Sequence, residues 1–235
     1  MKIDYNSIYS SYSQEHIAYI KNTAVWKAEH LCKLIKEEPA ESILEIGTGR
    51  GDVLNACCPF KIKIGADISE EAIKQHHAIY KEHKLVKIDA DKPLPFNNNE
   101  VDFVLLCDIL EHIENPVFLL SEAGRIGRNV LLKIPIENAL LRKFMMKINK
   151  VEYGPNHPSG HLYCWTMSDV KKIIEKSGLE IVRSKFLSTP PNLLKKKYLL
   201  KTAIVSLMSF ADFFTADNSF SKILTGGSFF AIAHK

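Results

Sequence analysis

An apolar run followed at once by three closely spaced glycines is the feature that most restricts the fold of this chain. The run Ser42–Ile46 predicts a short buried strand, and the segment Gly47–Gly51 then turns the chain into a helix that begins near Asp52. A glycine-rich turn of this kind presents backbone, not side chains, to whatever lies above it. The sequence therefore predicts a strand–turn–helix unit whose turn faces a ligand.

Strands and helices alternate along the rest of the chain. The apolar runs predict further strands at 61–67, 84–90, 101–109, 129–135, 179–186 and 229–234. The segment 101–109 is almost continuously apolar, which is typical of a strand covered on both faces. Ser69 and the pair Thr166 and Asp169 predict helix N-termini, and Gly178 predicts a helix end. This order predicts an α/β protein with a doubly wound, mainly parallel seven-stranded sheet that binds ligands at the carboxyl ends of its strands.

The predicted organisation is one domain over residues 1–235 with additions to the sheet. Residues 1–38 predict an amphipathic helical cap. The insertions 138–165 and 189–226 are much longer than ordinary connections of about 4 to 6 residues, so we predict that they form a helical and loop cap on the substrate side. For 190–215 three interpretations stay open: a cap helix on the core, a lid over the substrate, or a contact with a membrane surface or a second copy.

Charge and cysteine content narrow the class of protein. The formal net charge of +4 is mild and mostly dispersed, so charge alone does not imply a nucleic-acid partner. The five cysteines lack C-x-x-C spacing and indicate neither a zinc site nor a disulfide framework, so no metal is expected. The N-terminus has no apolar signal core, and no apolar run reaches the roughly 18 residues of a membrane span. These features predict a cytoplasmic location.

Glu45 precedes the glycine turn, which reads G-x-G-x-G. This combination resembles the first motif of the class I S-adenosylmethionine-dependent methyltransferases, which have a Rossmann-like fold. The segments ADIS (66–69), DADKPLPF (89–96) and VDFVLLCDILEHIENP (101–116) resemble the later motifs of that family in the same order. Residues 161–182 are similar to the closing segments of small-molecule methyltransferases, including those of quinone biosynthesis.

The resemblance implies S-adenosylmethionine as the cofactor and S-adenosylhomocysteine as its product. Gly47 and Gly49 would let the backbone approach the methionine moiety, and Glu45 would lie close to its ammonium group. Asp67 would accept the ribose hydroxyls, and Asp89 with the following amide would meet the adenine. The implied cofactor-binding residues are Glu45, Gly47, Thr48, Gly49, Gly51, Asp67, Ile68, Asp89, Ala90 and Cys107.

Methyl transfer needs an aligned acceptor and sometimes a base to remove its proton. The resemblance places Cys107 and Asp108 near the transferred methyl group. It makes His112 the leading candidate base, because an imidazole can titrate near neutral pH. A purely orienting role for His112 stays open. The candidate catalytic residues are therefore His112 and Asp108, and the candidate substrate residues in the first insertion are His157, His161, Tyr163 and Trp165.

The function implied by the resemblance is methyl transfer to an oxygen of a small-molecule or lipid-like metabolite, with nitrogen or carbon as other acceptor atoms. No nucleic-acid partner is expected. Two alternatives stay open: a non-catalytic protein that binds the cofactor as a scaffold, and a nucleic-acid methyltransferase. The amino-methylating form of the latter would need N-P-P-Y or D-P-P-Y where this chain has CDILEH.

Overall fold

The computed structural model describes residues 4–35, 40–57, 60–138, 147, 152–154, 157, 160–188 and 226–235. The helices are α1 (Tyr5–Ser10), α2 (Gln14–Cys32), α3 (Asp52–Ala56), α4 (Glu70–Ile79), α5 (Pro116–Ile126) and α6 (Met167–Lys176), with a 3₁₀ turn at Leu110–His112. The strands are β1 (Ser42–Ile46), β2 (Ile62–Asp67), β3 (Lys84–Lys87), β4 (Val101–Cys107), β5 (Gly127–Ile136), β6 (Glu180–Leu187) and β7 (Gly227–His234).

The seven strands form one sheet in the order β3-β2-β1-β4-β5-β7-β6. Strand β7 runs antiparallel to β5 and β6, and the other neighbouring strands are parallel. The prediction of a doubly wound, mainly parallel seven-stranded sheet is therefore confirmed. Strand β1 pairs with β2 on one side and β4 on the other, so the strand order reverses there. Ligands of open α/β sheets bind at such a reversal, beyond the carboxyl ends of the strands.

Two predicted strands end earlier in the structure than the apolar pattern indicated. Strand β3 ends at Lys87 instead of residue 90, and β4 ends at Cys107 instead of residue 109. Asp108 stops β4 because its φ of 54° lies in the left-handed region, which breaks the extended backbone. The residues that follow are thereby turned over the sheet edge.

Both faces of β4 are buried, which explains why its sequence is apolar throughout. Val104 and Leu106 belong to a hydrophobic cluster with α5 and α6, whereas Phe103 and Leu105 belong to a cluster with α2 and α3. All four side chains are fully buried. Burial of each contributes about 1.5–3 kcal/mol, so β4 holds the two layers of the fold together.

Hydrogen bonds at the helix ends match the capping residues in the sequence. Ser69 accepts from the backbone N–H of Ala72 at the start of α4. Thr166 and Asp169 form the reciprocal capping box predicted for α6. Both predicted caps are confirmed, and they fix where α4 and α6 begin.

Parts of the predicted additions fall outside the described residues. The second insertion is described only at residue 226, so the three interpretations of 190–215 lie outside the described residues. The first insertion is described at 138, 147, 152–154, 157 and 160–165. In the described part of the chain, no helix has the length and apolar character needed to cross a membrane. The single-domain organisation with caps stays a prediction.

Candidate active site

A cavity of about 560 Å³ lies at the carboxyl ends of β1, β2 and β4. Its volume falls within the range of about 300–1,000 Å³ that is usual for small-molecule sites. The lining residues are Tyr5, Ile8, Tyr9, Ser11, Tyr12, His16, Gly47, Asp67, Ile68, Ile88, Asp89, Ala90, Asp91, Asp108, Ile109, His112, Ile113 and His161. The reversal of strand order thus places a ligand-sized cavity where the glycine turn begins.

The glycine turn leaves no room for a side chain at Gly47 or Gly49. Gly47 has a φ of 75°, and a Cβ there would lie 2.5 Å from the Ile109 side chain. Gly49 has a φ of 53°, and a Cβ there would lie 2.8 Å from the Tyr9 hydroxyl. Both the backbone conformation and the close neighbours therefore require glycine. Gly51 follows as the N-terminal cap of α3.

Asp67 ties the glycine turn to the end of β2. Its Oδ2 accepts the Gly49 N–H at 2.8 Å, and its Oδ1 accepts the Ser69 N–H at 2.9 Å. The side chain is only 5% exposed, and burial raises the pKa of its carboxyl. Each carboxylate oxygen keeps a further acceptor position, so Asp67 can still receive hydroxyl groups from a ligand in the cavity.

Glu45 lies in β1 and Thr48 lies in the glycine turn, and neither residue lines the cavity. Glu45 is 2% exposed, and its Oε2 accepts a hydrogen bond from Thr48 Oγ1 at 3.0 Å. Burial raises the pKa of Glu45 to about 8. A buried carboxyl with so little compensation favours a cation nearby, because a positive charge would stabilise its ionised form.

Asp108 lines the cavity but is held by two lysines. Lys27 Nζ lies 2.8 Å from its Oδ2, and Lys133 forms an ion pair with its Oδ1. Burial alone would raise the pKa of Asp108, but Lys133 and Lys27 outweigh it and hold the pKa well below its usual range. Such a carboxylate is a weak base, so the geometry favours a charge-pairing role for Asp108. Cys107 is buried beside it, outside the cavity lining.

His112 and His161 stand together on one wall of the cavity, with ring centroids 4.9 Å apart. His112 Nδ1 lies 3.1 Å from the Gly160 carbonyl oxygen, and His161 Nδ1 lies 2.7 Å from Glu137 Oε2. Because both partners accept hydrogen bonds, we place a proton on Nδ1 of each ring, and Nε2 is the ring nitrogen left to face a ligand.

The expectation that His112 titrates near neutral pH is wrong for this environment. Burial, and then the neighbouring His161, lower its pKa to about 4. His112 is therefore neutral at physiological pH but a weak base. Glu111 precedes it in the 3₁₀ turn, is 1% exposed, and has its pKa raised by burial to about 8.

The four substrate candidates of the first insertion occupy different places. Only His161 lines the cavity. His157 lies behind it, with the two rings stacked at 4.8 Å. The Tyr163 hydroxyl donates to the Glu114 carbonyl oxygen at 2.8 Å, and its ring stacks on Trp165. Trp165 packs in the hydrophobic cluster of α5 and α6, so Tyr163 and Trp165 do not form the cavity wall that the sequence suggested.

The N-terminal segment supplies a wall that sequence reasoning missed. Tyr5, Tyr9, Tyr12 and His16 all line the cavity, on α1, on the following turn and on α2. Tyr5 and Tyr9 lie four residues apart on α1, which Asp4 caps through its side chain, whereas Tyr12 precedes α2 and His16 lies in it. The pair at helical spacing was a usable signal, although a helix of only 6 residues is too short to stand out by periodicity.

Residues 44–129 match the family model described as a methyltransferase domain. An uncharacterized protein of Methanocaldococcus jannaschii is 33% identical over 141 residues, a match that covers 58% of this chain and 65% of the relative. The chain therefore spans less than two thirds of the length of that relative.

Solved structures show the same fold. A methyltransferase in complex with the Haloferax volcanii Trm112 methyltransferase activator has a TM-score of 0.68 at 16% identity, with 100% of this chain and 98% of that chain covered. A SAM-dependent methyltransferase from Archaeoglobus fulgidus has a TM-score of 0.60 at 19% identity, with 92% of this chain and 94% of that chain covered. At these identities the likeness establishes the fold alone.

Proposed function

We propose that the chain, whose residues 44–129 match the model of a methyltransferase domain, transfers a methyl group from S-adenosylmethionine to an oxygen of a small-molecule or lipid-like metabolite. The observation that carries this proposal is the cavity at the strand reversal. The motif residues Gly47, Asp67 and Asp89 and the imidazole of His112 all line this one cavity.

The cofactor half of the cavity is formed by the ends of β1, β2 and β3. The sulfonium of S-adenosylmethionine supplies an already activated methyl group when it is bound. Gly47 would leave room for the methionine moiety, and Asp67 would accept the ribose hydroxyls. Ile68, Asp89 and Ala90 line the neighbouring part of the cavity and would hold the adenine. Glycine is needed at Gly47 and Gly49 because a Cβ at either would collide with its neighbours, so the turn presents backbone at the end of β1.

The acceptor half is bounded by aromatic side chains and by the two histidines. Tyr5, Tyr9 and Tyr12 give it apolar faces with polar ends, which suits a partly apolar metabolite. The acceptor hydroxyl would approach His112 Nε2. The resemblance to enzymes of quinone biosynthesis, which rests on residues 161–182, stays a prediction.

Calorimetric titration with S-adenosylhomocysteine tests the cofactor half. We expect one binding site per chain with micromolar affinity. The absence of heat at millimolar ligand would contradict the proposal. Methyl transfer from labelled S-adenosylmethionine to fractionated small metabolites then separates an enzyme from a scaffold, because a scaffold would bind the cofactor and label nothing.

Cofactor affinity should depend on pH through Glu45. Its pKa of about 8 means that the carboxyl is mostly protonated at neutral pH in the free protein. An ammonium group beside it would favour the ionised form, so binding would release a proton. We therefore expect the affinity to increase with pH, by up to ~10-fold from about pH 6 to about pH 7.

Titrations in two buffers of different ionisation enthalpy measure the released proton directly. Glu45→Gln should remove the pH dependence because the side chain then cannot ionise. Glu41→Gln, at an exposed position just before β1, should keep it. A pH dependence that persists in Glu45→Gln would assign the proton to another group.

A further inference from the structure

Three potential metal ligands converge on the histidine wall of the cavity. One carboxylate oxygen of Glu111 and one ring nitrogen each of His112 and His161 all lie within 4.8 Å of one another. Glu111 and His112 come from the 3₁₀ turn after β4, and His161 comes from the segment after β5. The Leu162 N–H donates to the Glu111 carbonyl oxygen at 2.7 Å, which holds the two segments together.

The two imidazoles are oriented as metal-binding imidazoles usually are. Metal-ligating histidines commonly donate their second ring N–H to a carbonyl or carboxylate, which fixes the ring and its tautomer. Gly160 supplies such a carbonyl to His112, and Glu137 supplies such a carboxylate to His161. Both Nε2 lone pairs are thereby left for a ligand.

The third ligand is a buried carboxyl group with one unpartnered oxygen. Glu111 is 1% exposed, and its Oε2 has no hydrogen-bond partner in the part of the chain that the structure describes. Burying a polar oxygen without a partner is costly. The nearby Asp108 is itself negative, and Lys27 and Lys133 are already paired with it. A cation between Glu111 and the histidines would satisfy this oxygen.

We propose that Glu111, His112 and His161 form a binding site for a divalent transition-metal ion. Two imidazole nitrogens and one carboxylate oxygen suit ions such as Zn²⁺, Fe²⁺ or Mn²⁺ better than Mg²⁺, which prefers oxygen ligands. Three protein ligands leave coordination positions open towards the cavity. Sequence reasoning expected no metal because it considered only the cysteines.

The role of the ion rests on the proposed function. An ion at this site would bind the acceptor hydroxyl and lower its pKa. The hydroxyl proton would leave to solvent, and an oxygen lone pair would form the new O–C bond. The C–S bond would break with its electron pair remaining on sulfur, so the sulfonium becomes a neutral thioether. His112 would then act as a ligand and not as the base.

The site can be tested with the metal ions alone. The 235-residue chain is stripped with a chelator, dialysed, and titrated with Zn²⁺, Mn²⁺ and Mg²⁺ by calorimetry. Co²⁺ then provides an absorption spectrum that reports the ligand set. We expect one Zn²⁺ per chain. Glu111→Gln and His161→Gln should each weaken Zn²⁺ binding by ~100-fold or more. His77→Gln, at an exposed histidine on α4, should bind like the unmodified protein.

Thermal unfolding of each metal-free variant shows whether it is folded before its affinity is interpreted. Substoichiometric binding by folded protein, or equal affinity in Glu111→Gln, would overturn the site. S-adenosylhomocysteine binding is measured on the same metal-free protein, so that failure of the cofactor proposal and failure of the metal site give different results. Full methyl transfer after chelation would overturn the role of the ion and return His112 to the role of base.

Discussion

Asp67→Ala should weaken the binding of S-adenosylhomocysteine by about 1–3 kcal/mol, or roughly 5- to 150-fold in Kd. Asp67 lines the cavity and also accepts the N–H groups of Gly49 and Ser69. Its removal would leave these two donors and the ribose hydroxyls without their acceptor. Calorimetry measures the change directly.

Asp67→Asn tests whether the size of the Asp67 side chain or its two acceptor oxygens account for the binding. The amide has the same size, but its NH₂ group would face one of the two backbone N–H donors. We therefore expect Asn to weaken binding nearly as much as Ala. Wild-type affinity in both folded variants would remove Asp67 from the cofactor site and leave it as a brace for the glycine turn.

Asp108→Asn should lower the free energy of unfolding by about 3 kcal/mol, because it leaves Lys27 and Lys133 close together without their shared counter-charge. We take the lower end of the usual 3–5 kcal/mol for a broken buried pair because the Asp108 side chain is 25% exposed. Asparagine tolerates the left-handed backbone at φ 54°, so the variant isolates the charge.

Urea denaturation at neutral pH measures this loss. Glu29→Gln, which breaks the exposed pair between Glu29 on α2 and Lys33 just after it, is the matched control and should leave the unfolding midpoint almost unchanged. An Asp108→Asn variant as stable as the control would show that the two lysines reach solvent or other partners at no cost. Charge pairing would then not explain the position of Asp108.

The sheet could be predicted because its signals are local. The apolar run of β4 indicated burial on both faces, and Thr166 with Asp169 indicated where α6 begins. The end of β4 could not be read in the same way. Ile109 continues the apolar pattern beyond Asp108, and only the packing of the chain decides that Asp108 turns out of the strand.

In the candidate site, too, the positions of some residues could be predicted from the sequence and those of others could not. Gly47, Asp67 and Asp89 each lie at or just beyond the end of a strand, and parallel strands bring their carboxyl ends to one edge, so their meeting follows from the topology. The approach of His161 to Glu111 depends on the course of the loop after β5, which no periodicity encodes. The low pKa of His112 comes from its burial and then from His161, which the same loop supplies.

The cavity wall that the N-terminal segment supplies could decide which ligands the protein accepts. Residues 5–16 supply Tyr5, Tyr9, Tyr12 and His16 to the cavity, yet none of these residues is fully buried and none belongs to the sheet. We expect substitutions there to change the cavity's shape at less cost to stability than substitutions at the strand ends. Tyr9 is the exception, because its hydroxyl lies over Gly49 of the glycine turn. Under the proposed function, one short, contiguous stretch of the gene would therefore be the place to vary the acceptor, and a library at Tyr5, Tyr12 and His16 would test it.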